Sequence, residues 1–208
     1  KRHAIAAGHV FDGWTRHKDA AVVVEGSLIV GVVPQSELPL GLEVRKLPSE
    51  VWLAPGFIDL QVNGGGDVLF NNSPTPEAIL AIAAAHRKVG TTALLPTFMA
   101  DTCEKMTVAF AAAESLAESE PGILGIHLEG PFLSSEKAGV HAASLMRQPG
   151  PADLKMLCGP RKGALLVTLA PERVPNGFIA GLVQSGVRGS LGHSMAPYAE
   201  TLASMAEG

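Results

Sequence analysis

Short apolar runs alternate with helical segments from Leu53 onward, and this repeat restricts the fold more than any other feature. The apolar runs predict five strands, at 57–62, 92–95, 123–128, 164–169 and 187–191. Capping residues and helical composition predict the helices between them, at about 76–89, 101–118, 151–157 and 176–184, with another beginning at Pro197. Repeated strand–helix units favour a parallel sheet, either closed into a barrel or open and doubly wound.

Polar side chains at the predicted strand ends favour the barrel. They follow every strand: Gln61 and Asn63, Thr97, Glu129, Glu172 and His193. A (β/α)8 barrel builds its active site from the carboxyl ends of all its strands, whereas an open sheet concentrates ligands at one switch point. The predicted class is therefore an α/β barrel. Only about five of its eight units fit into 208 residues, so we expect a partial barrel at 53–208.

The first 52 residues differ from the rest because they show no helical period. Two apolar runs, 21–24 and 28–30, flank Glu25-Gly26-Ser27, which predicts a hairpin, and Asp12-Gly13 predicts a second turn. We predict a small sheet module at 1–52.

Composition excludes several functional classes. A net charge of −4 gives no basic surface for nucleic acid, and no apolar run reaches the length of a membrane span. Cys103 and Cys158 lie far apart without a CxxC spacing, which is typical of free thiols in a reducing compartment. We therefore expect a cytoplasmic protein.

Glu129 is the most informative single residue. It ends the apolar run 123–128, and Gly130-Pro131 interrupts the backbone directly after it. A carboxylate at the end of a buried strand suits a metal ligand or an acid/base group, and it equally suits a cap for the following loop. This stretch alone leaves both interpretations open.

Several motifs, in this order, resemble the N-acetylglucosamine-6-phosphate deacetylase family of the urease-related amidohydrolase superfamily. The first three are Ala54-Pro55-Gly56-Phe57-Ile58-Asp59, Gln61-Val62-Asn63-Gly64, and Gly90-Thr91-Thr92 with Leu95-Pro96-Thr97. The most specific is His127-Leu128-Glu129-Gly130-Pro131-Phe132. The last are Lys137-Ala138-Gly139-Val140-His141, Leu169-Ala170-Pro171-Glu172 and Gly192-His193-Ser194. The resemblance covers the whole chain but only about the first half of such an enzyme.

The resemblance implies an amidohydrolase-type barrel preceded by part of a small β-sandwich. It also implies that Glu129 and His193 bind one divalent metal ion, Zn²⁺ or alternatively Fe²⁺, with a third ligand beyond Gly208. A carboxylate with imidazoles suits either ion. The alternatives are a loop-capping role for Glu129 and a buried, backbone-bonded His193.

Other site residues are implied in the same way. His141 matches the position that orients the substrate carbonyl, although it could instead be a loop histidine in solvent. Gln61 and Asn63 stand where the superfamily usually has paired histidines. We therefore expect a single metal, with both amides at the substrate-binding mouth of the barrel. His127 is expected in the core, and the general-base Asp is expected beyond Gly208.

The implied reaction is hydrolysis of the N-acetyl group of N-acetylglucosamine 6-phosphate in amino-sugar catabolism, by a homodimer whose only partner is this small substrate. Because a ligand and the base are expected downstream, the 208 residues alone are predicted to be incomplete for catalysis. One alternative is another amidohydrolase acting on a cyclic or linear amide, which would need His-x-His at Gln61 and Asn63. The other is an inactive partial barrel.

Overall fold

A single mixed sheet forms the first part of the chain in the computed structural model, which describes residues 1–208. Its strands are β1 (Arg2–Phe11), β2 (Arg16–Glu25), β3 (Leu28–Pro34), β4 (Glu43–Lys46) and β5 (Trp52–Leu53). β1, β2 and β3 are antiparallel neighbours, while β4 and β5 run parallel to β1. The predicted hairpin between β2 and β3 and the predicted turn between β1 and β2 are both confirmed. A second packed sheet is not observed, so the β-sandwich is not confirmed.

Five parallel strands organise the second part of the chain. They are β6 (Phe57–Val62), β9 (Thr91–Met99), β10 (Gly125–Glu129), β11 (Ala164–Leu169) and β12 (Arg188–Leu191). Between β6 and β9 lies a two-stranded hairpin of β7 (Gly64–Gly65) and β8 (Val68–Leu69). The sheet order is β12-β11-β10-β9-β6, so each strand pairs with the next in sequence. This progression without reversal is that of a barrel wall, and the predicted α/β class with five units is confirmed.

Five helices accompany this sheet. They are α1 (Pro76–Arg87), α2 (Cys103–Leu116), α3 (Pro151–Leu157), α4 (Phe178–Gln184) and α5 (Tyr198–Met205). Apolar residues of α1, α2 and α4 pack with the strands into one core, which includes Ile79, Leu116 and Leu182. No helix combines the length and apolarity needed to cross a membrane.

Two local predictions were wrong by small amounts. Thr97 was predicted to follow its strand, but β9 continues through Pro96 to Met99 and Thr97 is fully buried inside it. The helix predicted to begin at Asp101 begins at Cys103, with Thr102 as the cap that accepts from the Lys105 N–H. Asp and Thr are both strong capping residues, so the sequence could not separate the two adjacent positions.

The compact units of the chain are Lys1–Gly56 and Phe57–Gly208. All candidate site residues lie in the second unit.

Candidate metal centre

Glu129 is the last residue of β10, a strand whose five residues are all buried. Gly130 follows with a φ of 89°, and an added Cβ there would lie 2.9 Å from the Leu133 side chain. Only glycine fits both requirements, so the chain turns sharply at this point. The turn leaves the carboxylate of Glu129 at the carboxyl edge of the parallel sheet, where barrel enzymes place their chemistry.

His193 follows β12 and points its ring at this carboxylate. Its Nδ1 lies 2.8 Å from the Lys137 carbonyl oxygen, and its Nε2 lies 3.2 Å from Glu129 Oε1. Because a carbonyl oxygen only accepts, Nδ1 carries the hydrogen, and Nε2 of the neutral ring presents a lone pair. Two acceptors then face each other across 3.2 Å, an arrangement that needs a cation or an added proton between them.

His141 completes the cluster from the loop that follows β10. Its side chain is almost fully buried, and its Nε2 lies 3.6 Å from Glu129 Oε1. The alternative of a solvent-exposed loop histidine is therefore wrong. Its Nδ1 is buried without a hydrogen-bond partner, which leaves one polar atom of the site available to a further group.

These three residues fit a divalent cation. Their candidate ligand atoms all lie within 4.8 Å of one another. Ligands at the usual Zn–N and Zn–O distances stand about 3.3 Å apart in a tetrahedral site, close to the two separations from Glu129. His141 contributes most to holding the pKa of Glu129 at about 2, and Asn63 and His193 lower it further, while burial opposes them. The carboxylate is therefore ionised and ready to bind a cation.

Gln61 and Asn63 also contact Glu129. The Gln61 amide donates to Oε1 at 3.1 Å, and the Asn63 amide donates to Oε2 at 3.4 Å. The structure thus brings both predicted residues to the site, where they hold the carboxylate. Their predicted contact with substrate stays a prediction.

His127 lies in the core beneath Glu129. Its ring nitrogens lie 3.1 Å from the Thr97 hydroxyl and 2.8 Å from the Thr168 hydroxyl, and the Val62 N–H donates to the same Thr97 hydroxyl. Burial lowers the pKa of His127, and the charge of Glu129 opposes this. The neutral ring of His127 has a hydrogen-bond partner at each nitrogen and so links β9, β10 and β11, in agreement with its predicted core position.

Glu172 is a residue whose role sequence reasoning missed. It follows β11, and its carboxylate accepts from the Ser194 hydroxyl and from the Met195 N–H, both at 2.7 Å. Burial acts to raise the pKa of Glu172, but these two donors hold it below its usual value. The sequence showed only a polar residue after a strand, because its partners are more than twenty positions away.

Curated relatives of the chain act on amino-sugar phosphates, although no family model matches it. The N-acetylgalactosamine-6-phosphate deacetylase of Shewanella sp. (strain ANA-3) is 46% identical over 145 residues, which are 69% of this chain and 37% of that protein. The N-acetylglucosamine-6-phosphate deacetylase of Haemophilus influenzae is 36% identical over 182 residues, which are 87% of this chain and 48% of that protein. The chain thus spans less than half the length of either relative.

A solved structure extends the match over the entire fold. The crystal structure of N-acetylglucosamine-6-phosphate deacetylase from Pasteurella multocida superposes with a TM-score of 0.92 at 32% identity, covering 100% of this chain and 55% of that one. The resemblance predicted from the motifs is confirmed. The chain belongs to the family of N-acetylglucosamine- and N-acetylgalactosamine-6-phosphate deacetylases.

Proposed function

We propose that the protein hydrolyses the N-acetyl group of N-acetylglucosamine 6-phosphate to glucosamine 6-phosphate and acetate. The observation that carries this proposal is the convergence of Glu129, His193 and His141 at the carboxyl edge of the sheet. N-acetylglucosamine-6-phosphate deacetylases from other organisms are similar to the chain in sequence and in fold. The whole enzyme, a closed (β/α)8 barrel with its β-sandwich, is part of the same proposal.

Glu129 and His193 are the residues that hold a single divalent ion in this proposal. A bound ion would supply Lewis-acid polarisation of the acetamide carbonyl and a lower pKa for a water molecule. Gln61 and Asn63 stabilise the ionised form of Glu129 by donating to both of its oxygens. These two amides stand where the superfamily usually has paired histidines, and amides bind transition metals weakly. We therefore expect one ion per site. Metal analysis that finds two ions would contradict this.

His141 is the residue proposed to orient the substrate carbonyl. Its burial beside Glu129 supports this role, because an imidazole N–H next to the metal centre can stabilise the developing oxyanion. The same distance to Glu129 also suits a third metal ligand. The metal content of a His141 variant separates the two roles.

Further properties belong to the same proposal. A site of carboxylate and imidazole groups suits Zn²⁺, with Fe²⁺ as the alternative. The two free cysteines suit the reducing conditions of the cytoplasm, where amino-sugar catabolism takes place. The homodimer implied by the resemblance stays a prediction that light scattering can check.

A second candidate substrate is N-acetylgalactosamine 6-phosphate. It is favoured by the 46% identity to a deacetylase named for that sugar. The two sugars differ at C4, away from the acetamide, so the metal centre itself handles both alike. Substrate choice therefore rests on residues that contact C4.

Acetate release tests both candidates. The whole enzyme, purified and loaded with Zn²⁺, is assayed with each sugar phosphate, and the larger kcat/KM identifies the preferred substrate. We expect turnover of the glucosamine derivative and loss of turnover on chelation. No acetate from either sugar would overturn the proposed function, and a kcat/KM that clearly favours the galactosamine derivative would replace the first candidate with the second.

A further inference from the structure

The backbone of His193 adopts an unusual conformation. Its φ is 50°, in the left-handed region that non-glycine residues seldom occupy. Such a conformation persists only where its surroundings hold it, and it is frequent at functional sites. The question is which contacts hold His193 in this state, because its ring direction depends on them.

Four hydrogen bonds fix His193 and the residue after it. The Ser134 N–H donates to the His193 carbonyl at 2.9 Å, and His193 Nδ1 donates to the Lys137 carbonyl at 2.8 Å. The Ser194 hydroxyl donates to Glu172 Oε2 at 2.7 Å and in turn accepts from the Ala196 N–H at 2.9 Å. The first two contacts come from the loop after β10, so they orient the ring from one side only.

Glu172 holds the backbone on the other side of His193. Its carboxylate bonds the two consecutive residues after His193, Ser194 and Met195, one with each oxygen. It stands on a short helical turn, Pro171–Arg173, directly after β11, the strand that pairs with β12. The carboxylate therefore connects the ends of two neighbouring strands at the point where the chain leaves β12 for the metal centre.

We propose that Glu172 is a positioning residue of the metal centre, which holds His193 in its left-handed conformation with Nε2 directed at Glu129. It contacts neither His193 Nε2 nor Glu129, and it acts through the backbone after His193. The inference rests on the metal role of His193 in the proposed function. It adds a residue that determines metal affinity without being a ligand.

Zn²⁺ titration against a chromophoric chelator tests the inference without any substrate. Glu172→Ala is expected to weaken Zn²⁺ binding about 10–100-fold, the usual effect of losing a partner that orients a ligand. Glu172→Gln should recover much of this affinity, because its amide oxygen still accepts from Met195. At saturating Zn²⁺, the kcat of Glu172→Ala should return toward the wild-type value.

Glu114→Ala is the matched control. Glu114 also bonds two donors, the N–H groups of Lys162 and Gly163 at 2.6 and 3.2 Å, but it lies on α2 and contacts no site residue. We expect a lower Tm with wild-type Zn²⁺ affinity. Wild-type affinity in folded Glu172→Ala overturns the proposal, and so does equal weakening in Glu114→Ala, since that effect would be general.

If Glu172→Ala does not fold, Ser194→Ala removes one of the two donors and should still weaken Zn²⁺ binding measurably. Wild-type affinity in that variant would overturn the proposal. A whole enzyme that binds Zn²⁺ as expected but releases no acetate would refute the proposed function and leave this inference standing.

Discussion

Glu129 and His193 reach the same point of the molecule in different ways. Glu129 is the last residue of a regular, fully buried strand, and its side chain is 9% exposed. His193 lies on irregular backbone with a positive φ, and its side chain is 27% exposed. One proposed ligand is positioned by the sheet, and the other by hydrogen bonds between loops. The difference teaches that the two halves of the centre should fail in different ways when they are mutated.

The largest effect is expected from Glu129→Ala. Every other group of the centre contacts this carboxylate, so its loss should reduce Zn²⁺ binding and acetate release to the detection limit. Metal analysis and the acetate assay measure both. Glu114→Ala is the control, because that carboxylate bonds the Lys162 and Gly163 N–H groups and contacts no residue of the centre. Retention of metal by Glu129→Ala would contradict the proposal that this carboxylate, positioned by the sheet, binds the ion.

His193→Asn is expected to come next. Asn tolerates the left-handed conformation, so this change removes the imidazole while it keeps the backbone. Losing a residue that only orients a ligand costs up to about 100-fold in metal affinity, so losing the ligand itself should weaken Zn²⁺ binding by more than that. The Tm should stay close to that of the wild type. A large fall in Tm would show that the ring stabilises the loop, contrary to the proposed role.

His141→Ala separates the two roles open to His141. For carbonyl orientation, kcat should fall about 10²–10³-fold while the metal is retained. Loss of Zn²⁺ together with activity would instead make His141 a third ligand from the chain itself. Titration with Zn²⁺ and steady-state kinetics on the same preparation distinguish the outcomes.

The smallest effect concerns the anchor of the segment that carries His141. The guanidinium of Arg147 donates twice to Asp153, at 2.6 Å each, and the Gly150 N–H adds a third bond. Asp153→Asn should lower the free energy of unfolding at pH 7 by about 2 kcal/mol, since a charged hydrogen-bond partner is lost. Denaturant unfolding measures this value.

The same pair predicts a pH dependence. Burial acts to raise the pKa of Asp153, but Arg147 and the Gly150 N–H lower it below its usual value. Because the folded-state pKa is the lower one, the stabilisation is complete above the unfolded value of about 3.9 and is lost as the pH falls through the folded-state pKa. The stability gap between wild type and Asp153→Asn should therefore narrow in acid. A gap independent of pH would contradict the ion pair.

The sequence predicted the regular parts of the centre. Glu129 could be placed because an apolar run of strand length leads to it and Gly130-Pro131 ends the strand. Thr97 was misplaced because Pro96 lacks an N–H and normally argues against strand interior, yet β9 passes through it. Its hydroxyl instead accepts the Val62 N–H across the sheet, a pairing that only the folded register creates.

The irregular parts could not be predicted from spacing. His193 was placed near Glu129 through the family resemblance, while its conformation depends on Ser134, Lys137 and Glu172, which are far away in sequence. No periodicity describes these contacts. The burial of His141 likewise depends on how its loop folds back over the strand ends.

The partial exposure of His193 also bears on how the protein is handled in the laboratory. A chelator approaching from solvent meets this imidazole before the enclosed carboxylate of Glu129. We therefore expect a bound ion to be exchangeable from the side of the loop that carries His193. The identity of the ion in a purified sample then depends on the metals present during growth and purification as well as on the preference of the protein.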